Sequence, residues 1–301
     1  MLHCIHMTGS SPGAAREPRI LLGIGFMLLA ASILPVMNGL VQWLSQRYPS
    51  EQIIWARITG QLLVMLALML PRAGLGVFAT RRPGLQATRS LLQVSATALY
   101  FVAVATVPLA KATTIGFLTP FVVALAAWPL LGEKPEARRL LAITIAFAGV
   151  LIAVRPGGAG FDPAILLILG NVAFNALYQV LTRKVSAYDR AEASVLWSAL
   201  LGSVLTTLIV PFFWVTPADA ADATAFLALG ALAAAGHYCV ARAFSYGPAA
   251  VIAPFHYWQI VGATLMGVAV TGLWPDGWTW AGAAVIVGAG VFLALAERRR
   301  A

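Results

Sequence analysis

The chain has 301 residues, of which 60% are hydrophobic and only 10% charged; an ordinary soluble domain is about a quarter charged, so a water-soluble globular fold is excluded. A formal net charge of +9 would suit nucleic acid if the bases were clustered, but they fall in short loops between apolar runs, which points to membrane topology instead. Cys4 and Cys239 supply neither a disulfide framework nor a thiolate metal set, and no cofactor or metal is expected.

Residues 1–19 contain no apolar core of signal-peptide length and predict a short cytoplasmic tail. Ten apolar runs follow, each long enough as helix to cross about 30 Å of hydrocarbon. The first, roughly 20–44, carries Ser32, Asn38 and Gln42 with Pro35 between them. The second, roughly 52–71, holds Arg57, read as the only base well inside a span. A guanidinium there is either an outer attractor for carboxylate or phosphate groups or an anchor that snorkels to the interface. In the third, roughly 87–107, Gln93, Thr97 and Tyr100 form a weaker polar stripe. The fourth, roughly 112–131, contains Thr113, Thr114 and Thr119, hydroxyls that often bond only their own helix, and Pro120. The fifth, roughly 138–154, is almost without polar groups.

The sixth run, roughly 163–183, is the most informative. Asn171, Asn175, Tyr178 and Gln179 recur at i, i+4, i+7 and i+8 and share one helix face. Such a stripe lines a cavity or bonds a neighbouring helix; four polar groups favour the cavity. A seventh run, roughly 192–214, precedes an eighth, roughly 224–244, with His237 and Tyr238. In the ninth, roughly 249–272, Pro254 precedes His256 and Gln259, which are three apart and share a face. Each histidine alone is better explained by a structural role. Pro120 and Pro254 each remove a backbone hydrogen bond and are expected hinges. The tenth, roughly 278–296, spaces Ala284 and Gly288 for close helix contact, and 297–301 form a basic cytoplasmic tail.

Lys and Arg concentrate on the side of the N-terminus: Arg72, Arg81, Arg82 and Arg89 in one segment, Lys134, Arg138 and Arg139 in another, Arg183, Lys184 and Arg190 in a third. Only Arg47, Lys111 and Arg155 fall on the other side, near which Trp43, Trp55, Trp214, Trp274, Trp278 and Trp280 also lie. Both signals place the N- and C-termini in the cytoplasm of an inner (plasma) membrane protein.

The stretch "KATTIGFLTPFVVALAAWPLLGEKPEARRLLAITIAFAGVLIAV" is echoed by "YGPAAVIAPFHYWQIVGATLMGVAVTGLWPDGWTWAGAAVIVGAGVFLAL", with Pro120 matching Pro254 and Phe121 matching Phe255. Five spans per half, an odd number, require the copies to be inverted. The expected fold is an all-α polytopic membrane protein, ten transmembrane helices in two inverted five-helix repeats, 20–155 and 162–296, around a central cavity. The proline in the fourth span, "LLGEK" at its end, "AFAGVLIAVRP" and "APFHYWQIVGA" together resemble the drug/metabolite transporter superfamily, in its ten-helix EamA-type branch. The second half reads "VTGLWPD" where the first has "LLGEK", so the Glu of that motif has no counterpart there. The resemblance implies a cavity with the fifth and tenth helices packed outside it, and a cargo of amino acids, nucleotide-like metabolites, vitamins or drugs.

The expected binding set is Asn38, Gln42, Arg57, Gln93, Tyr100, Thr114, Asn171, Asn175, Tyr178, Gln179, His237, His256 and Gln259. No catalytic constellation stands out, and a membrane-embedded enzyme or receptor is a minor alternative. No Asp or Glu falls in the middle of a span, which favours exchange or facilitated diffusion unless His237 or His256 carries a proton. The expected activity is secondary transport of small polar or amphipathic metabolites, amino acids first, by alternating access; import of a nucleoside-like or vitamin-like metabolite is the second reading. The expected partners are a small-molecule substrate and the lipid bilayer, not nucleic acid, and a homo-oligomer is left open.

Overall fold

A computed structural model describes residues 20–132, 136–157, 161–247 and 249–298. The expected N-terminal tail, the "EK" of the fourth span's end and the last three residues of the C-terminal tail lie outside the described residues. The described chain is helical, with no strand. In order the helices are α1 (Ile20–Leu44), α2 (Ser50–Ala73), α3 (Pro83–Val104), α4 (Leu109–Gly116), α5 (Thr119–Leu131), α6 (Ala137–Val154), α7 (Ile165–Val185), α8 (Ala191–Ile209), α9 (Ala220–Ser245), α10 (Ala249–Ile252), α11 (Gln259–Thr271) and α12 (Gly277–Arg298).

Among the described residues nine helical spans are long and apolar enough to cross a membrane. The segment expected as a ninth of ten is not one helix. It runs as α10, a 3-10 turn over Ala253–Trp258, and α11. Pro254 lacks the N–H that an α-helical ladder needs there, and the chain tightens into i→i+3 bonding instead. The fourth span is similarly divided at Phe117 and Leu118, so Pro120 sits in the first turn of α5, where a missing N–H costs little. Both prolines, expected as hinges inside helices, therefore stand at the start of new elements. Each following helix ends on a glycine in the left-handed region, Gly132 at φ 76° and Gly272 at φ 72°, which an L side chain would resist.

Helices pair as α1 with α9 and α11, α2 with α8 and α9, α3 with α7 and α8, α5 with α7, and α6 with α12. Lipid-type side chains such as Leu63, Leu208, Leu227 and Leu265 cover the outward faces. Where apolar surface does not drive association, close backbone approach does, and small residues permit it. Gly60 and Gly230 meet at the α2–α9 crossing, where a Cβ on Gly230 would lie 2.4 Å from Gly60. Gly149 and Gly282 do the same for α6 and α12. The pair expected from spacing, Ala284 and Gly288, is exposed on the opposite face of α12, and nothing lies within 4 Å of a Cβ on Gly288.

Polar clusters tie the two ends. At the end remote from the start of α1, the fully buried Asp222 accepts from Tyr48 Oη at 2.6 Å and from Arg47 Nη1 at 3.1 and 3.2 Å. Its backbone N–H donates to the Asp219 cap of α9 at 2.8 Å. At the opposite end Asp189, between α7 and α8, accepts from Thr80 Oγ1, the Arg81 N–H and Gln86 Nε2. Partial burial alone would raise the Asp189 carboxyl, but these bonds and the Arg81 charge outweigh it and hold the group below the usual carboxylate range.

The packing predicts that Gly230→Ala forces α9 away from α2 and lowers the melting temperature in detergent, at a cost of about 1–3 kcal/mol. Gly288→Ala is expected to be neutral or slightly stabilising; equal melting of the two variants would contradict the assigned crossing.

Candidate functional site

Halfway through the bundle, polar and aromatic side chains from several helices converge. Arg57, 8% exposed, projects from α2 between α3, α7 and α9. Its Nη2 donates to His237 Nε2 on α9 at 3.2 Å. A guanidinium has only donors, so the imidazole accepts and carries its proton on Nδ1. The guanidinium carbon lies 5.8 Å from the centre of the Phe101 ring on α3 and within electrostatic reach of the Tyr178 hydroxyl on α7. His237 in turn interacts electrostatically with His256 of the 3-10 turn. His256 Nε2 donates to Gln259 Oε1, the first residue of α11, at 2.6 Å, and its ring meets Phe117 edge-on at 6.0 Å. On the α1 side, Asn38 Nδ2 donates to Tyr100 Oη at 3.5 Å, with Thr113 of α4 beside that hydroxyl.

The two chain breaks shape this region. Phe117 belongs to the interruption between α4 and α5, and His256 to the interruption between α10 and α11, so their contact joins the two irregular segments. Non-helical backbone at membrane depth persists where it is buried in protein or lines a water-filled space. His237 is solvent-exposed although Arg57, its direct partner, is buried, which places an accessible space on the imidazole's free side. Tyr238, expected to share that space, is 60% exposed and one residue round the helix from it.

Of the expected residues, Asn38, Arg57, Tyr100, Tyr178, His237, His256 and Gln259 are brought together. Four others bond elsewhere. Gln42 donates to the carbonyls of Val104 and Val107 at 3.2 and 3.4 Å, closing the end of α3. Asn171 donates to the Ala96 carbonyl at 2.8 Å and fastens α7 to α3. Asn175 accepts from Gln179, which is exposed. Thr114 is fully buried and Gln93 half-buried, neither with a bond into the ring of contacts. Pro120 is exposed at the start of α5, and Pro254 is half-buried at the start of the 3-10 turn. Ser32 bonds only the Leu28 carbonyl of its own helix.

Three features escape a reading of the sequence. Phe101 and Phe117 join the site as aromatic faces that look like ordinary core residues in sequence. Arg89, expected as a cytoplasmic loop base, is fully buried inside α3. Its Nη2 donates to the Ser194 carbonyl and to Ser198 Oγ on α8, and its guanidinium carbon lies 4.9 Å from the centre of the Tyr178 ring. Arg57 is therefore not the only base inside a span; Lys111, 9% exposed in α4, is another. The available signal was the spacing of Gln86, Arg89 or Ser90, Gln93, Thr97 and Tyr100, which continues the polar face of α3 toward its start.

The model of the EamA-like transporter family matches the chain twice, over residues 20–155 and 162–296. The chain is 28% identical to the riboflavin transporter of Rhizobium johnstonii, with 95% of each chain covered. It is 24% identical to the S-adenosylmethionine uptake transporter of Rickettsia felis, over 93% of this chain and 94% of the relative. It is also 28% identical to the pseudopaline exporter of Pseudomonas aeruginosa, over 92% of this chain and 97% of the relative. A solved structure superposes with a TM-score of 0.65 at 21% identity, covering 94% of this chain and 100% of its own, which is a likeness of fold.

The bond partners separate scaffold from site. Gln42→Leu and Asn171→Leu each leave backbone carbonyls unsatisfied and are expected to cost about 1–2 kcal/mol, read as a lower melting temperature in detergent. Gln259→Ala, which loses a side-chain partner and leaves no backbone carbonyl unsatisfied, is expected to stay near wild type in the same measurement.

Proposed function

The chain belongs to the EamA-like transporter family, and on that premise we propose that it is a secondary transporter of small polar or amphipathic metabolites, amino acids first, working by alternating access in the inner membrane. The observation that carries this reading is the meeting of Asn38, Arg57, Tyr100, Tyr178, His237, His256 and Gln259, from helices distributed along the whole chain, at mid-depth in an otherwise apolar bundle. Polar groups at that depth are costly unless they face protein or water, and a shared space bordered by amides, phenols and imidazoles suits a polar cargo.

In this reading the broken segment α10–α11 is a tenth membrane pass, and residues 20–155 and 162–296 are two inverted five-helix halves. The packing pattern supports it. Exchanging each span for the one five places on turns α1–α9 into α7–α3, α2–α9 into α8–α3 and α1–α11 into α7–α5, and each of these is a packed pair. The pairs α2–α8 and α6–α12 map onto themselves. The chain breaks at Pro120 and Pro254 and the left-handed caps Gly132 and Gly272 correspond in the same way. The basic segments near the start of α1 favour cytoplasmic termini. Binding at the interface of two such halves, with discontinuous helices at the site, is how many secondary transporters are built.

Coupling in this reading is exchange or facilitated diffusion, since every described Asp and Glu lies near a helix end or in a loop. A second reading, import of a vitamin-like or nucleoside-like metabolite, is favoured by relatives named for riboflavin and S-adenosylmethionine. Proteoliposomes separate these. We expect protein-dependent uptake of a labelled amino acid down its own gradient, indifferent to excess riboflavin or S-adenosylmethionine and absent when only a pH gradient is imposed. Uptake driven by pH alone would overturn the uncoupled mechanism; inhibition by riboflavin or S-adenosylmethionine would favour the second reading; absence of flux for all three cargo types would contradict the carrier.

A further inference from the structure

The central site has an excess of positive charge. Arg57 has as described partners only a neutral imidazole acceptor, the Phe101 ring and the Tyr178 side chain. Its Nε is buried and has no hydrogen-bond acceptor. On the other side of Tyr178, Arg89 is also buried without a carboxylate; its partners are a carbonyl, a hydroxyl and the Tyr178 ring, and its Nε and Nη1 are unsatisfied. The carboxylates of two salt bridges, Asp222 and Asp276, lie at the bundle's remote end, on Arg47 and Arg155.

Arginine does not relieve this by losing its proton, because its guanidinium stays ionised in proteins. A buried charge with no opposite charge is costly even after relaxation, and cation–π contact with Phe101 recovers only part of that cost. A counter-charge that arrives with the cargo removes the imbalance. Arg57 is the placed acceptor for it and Arg89 is not: His237 beside Arg57 borders accessible space, whereas Arg89 is completely enclosed.

We propose that Arg57 is the anion-recognition group of the site, and that the transported molecule carries an oxyanion, carboxylate or phosphate, on an aromatic or otherwise planar body. The oxyanion docks on the guanidinium N–H groups that His237 leaves without an acceptor, since the planar fork matches two oxygens at once. The His237 bond uses one of the two Nη2 N–H groups, so the other remains to form one edge of the fork with its neighbouring nitrogen. Phe101, and Phe117 against His256, supply flat apolar faces for the body of the molecule. This rests on the transporter reading and narrows its cargo: neutral and purely cationic molecules bind poorly.

The test uses the full chain purified in detergent, with benzoate and phenyl phosphate as probes and benzamide and benzyl alcohol as uncharged counterparts, at matched ionic strength. Benzoate or phenyl phosphate is expected to raise the melting temperature, the one that does so identifying the oxyanion preferred, while the uncharged pair has little effect. Arg57→Gln is expected to weaken the anion's apparent affinity roughly tenfold or more, the loss of a bond to a charged group, and Arg57→Lys to retain part of it. Equal stabilisation by benzamide and benzoate in the wild type would overturn the proposal without reference to any variant. So would undiminished anion binding in Arg57→Gln. Amino acid flux in proteoliposomes that is unchanged by Arg57→Gln would sink the anion site and leave the carrier standing. Anion binding that needs Arg57, without flux of any labelled amino acid, riboflavin or S-adenosylmethionine, would sink the carrier and leave the anion site.

Discussion

The structure turns on one constraint: a hydrogen-bonding or charged group taken to bilayer depth needs a partner, because lipid offers none. That constraint sorts the polar residues of this chain into two populations. Gln42, Asn171 and Ser203 spend their bonds on backbone carbonyls or neighbouring hydroxyls and join helices. Asn38 bonds Tyr100 and His256 bonds Gln259 across elements, while His237, Phe101 and Tyr178 lie about the Arg57 guanidinium, which nothing in the described chain neutralises. The first group holds the bundle together, and the second is the set that the proposed transport function uses.

The same constraint explains the irregular backbone. α4 and α5, and α10 and α11, are each interrupted at mid-depth, where free carbonyls and N–H groups are tolerated only inside protein or beside water. Both interruptions deliver an aromatic or imidazole side chain, Phe117 and His256, to the same contact. Close glycine contacts at α2–α9 bring the helix that carries Arg57 against the helix that carries His237, so scaffold packing and site geometry are linked through Gly60 and Gly230.

Much of this was legible in the sequence, and the rest was hidden for physical reasons. Hydropathy located nine of the ten expected spans, because twenty apolar residues in a row have few other uses. Helical spacing put His256 and Gln259 together and marked one face of α7, but spacing gives an angle round a helix and not what lies opposite. Asn171 and Tyr178 share that face, yet Asn171 meets the Ala96 carbonyl whereas Tyr178 lies between two arginines. Counting bases by loop misplaced Arg89, because a base six residues inside a helix is indistinguishable in sequence from one at its mouth. The Ala284–Gly288 spacing likewise selected the exposed face of α12, since small residues recur on both faces and only the partner helix decides which pair is used.

The most direct measurement of the central claim is thiol accessibility in the membrane. In a background with Cys4 and Cys239 replaced by serine, single cysteines at positions 100, 237 and 259 should react with a small hydrophilic methanethiosulfonate. Cysteines at 238 and 265, on faces turned outward, should not, because the reagent requires a hydrated thiolate. Labelling at 237 comparable to that at 265, with neither protected by substrate, would mean that the buried polar groups do not share a wet interior, and the transport site assigned here would not exist.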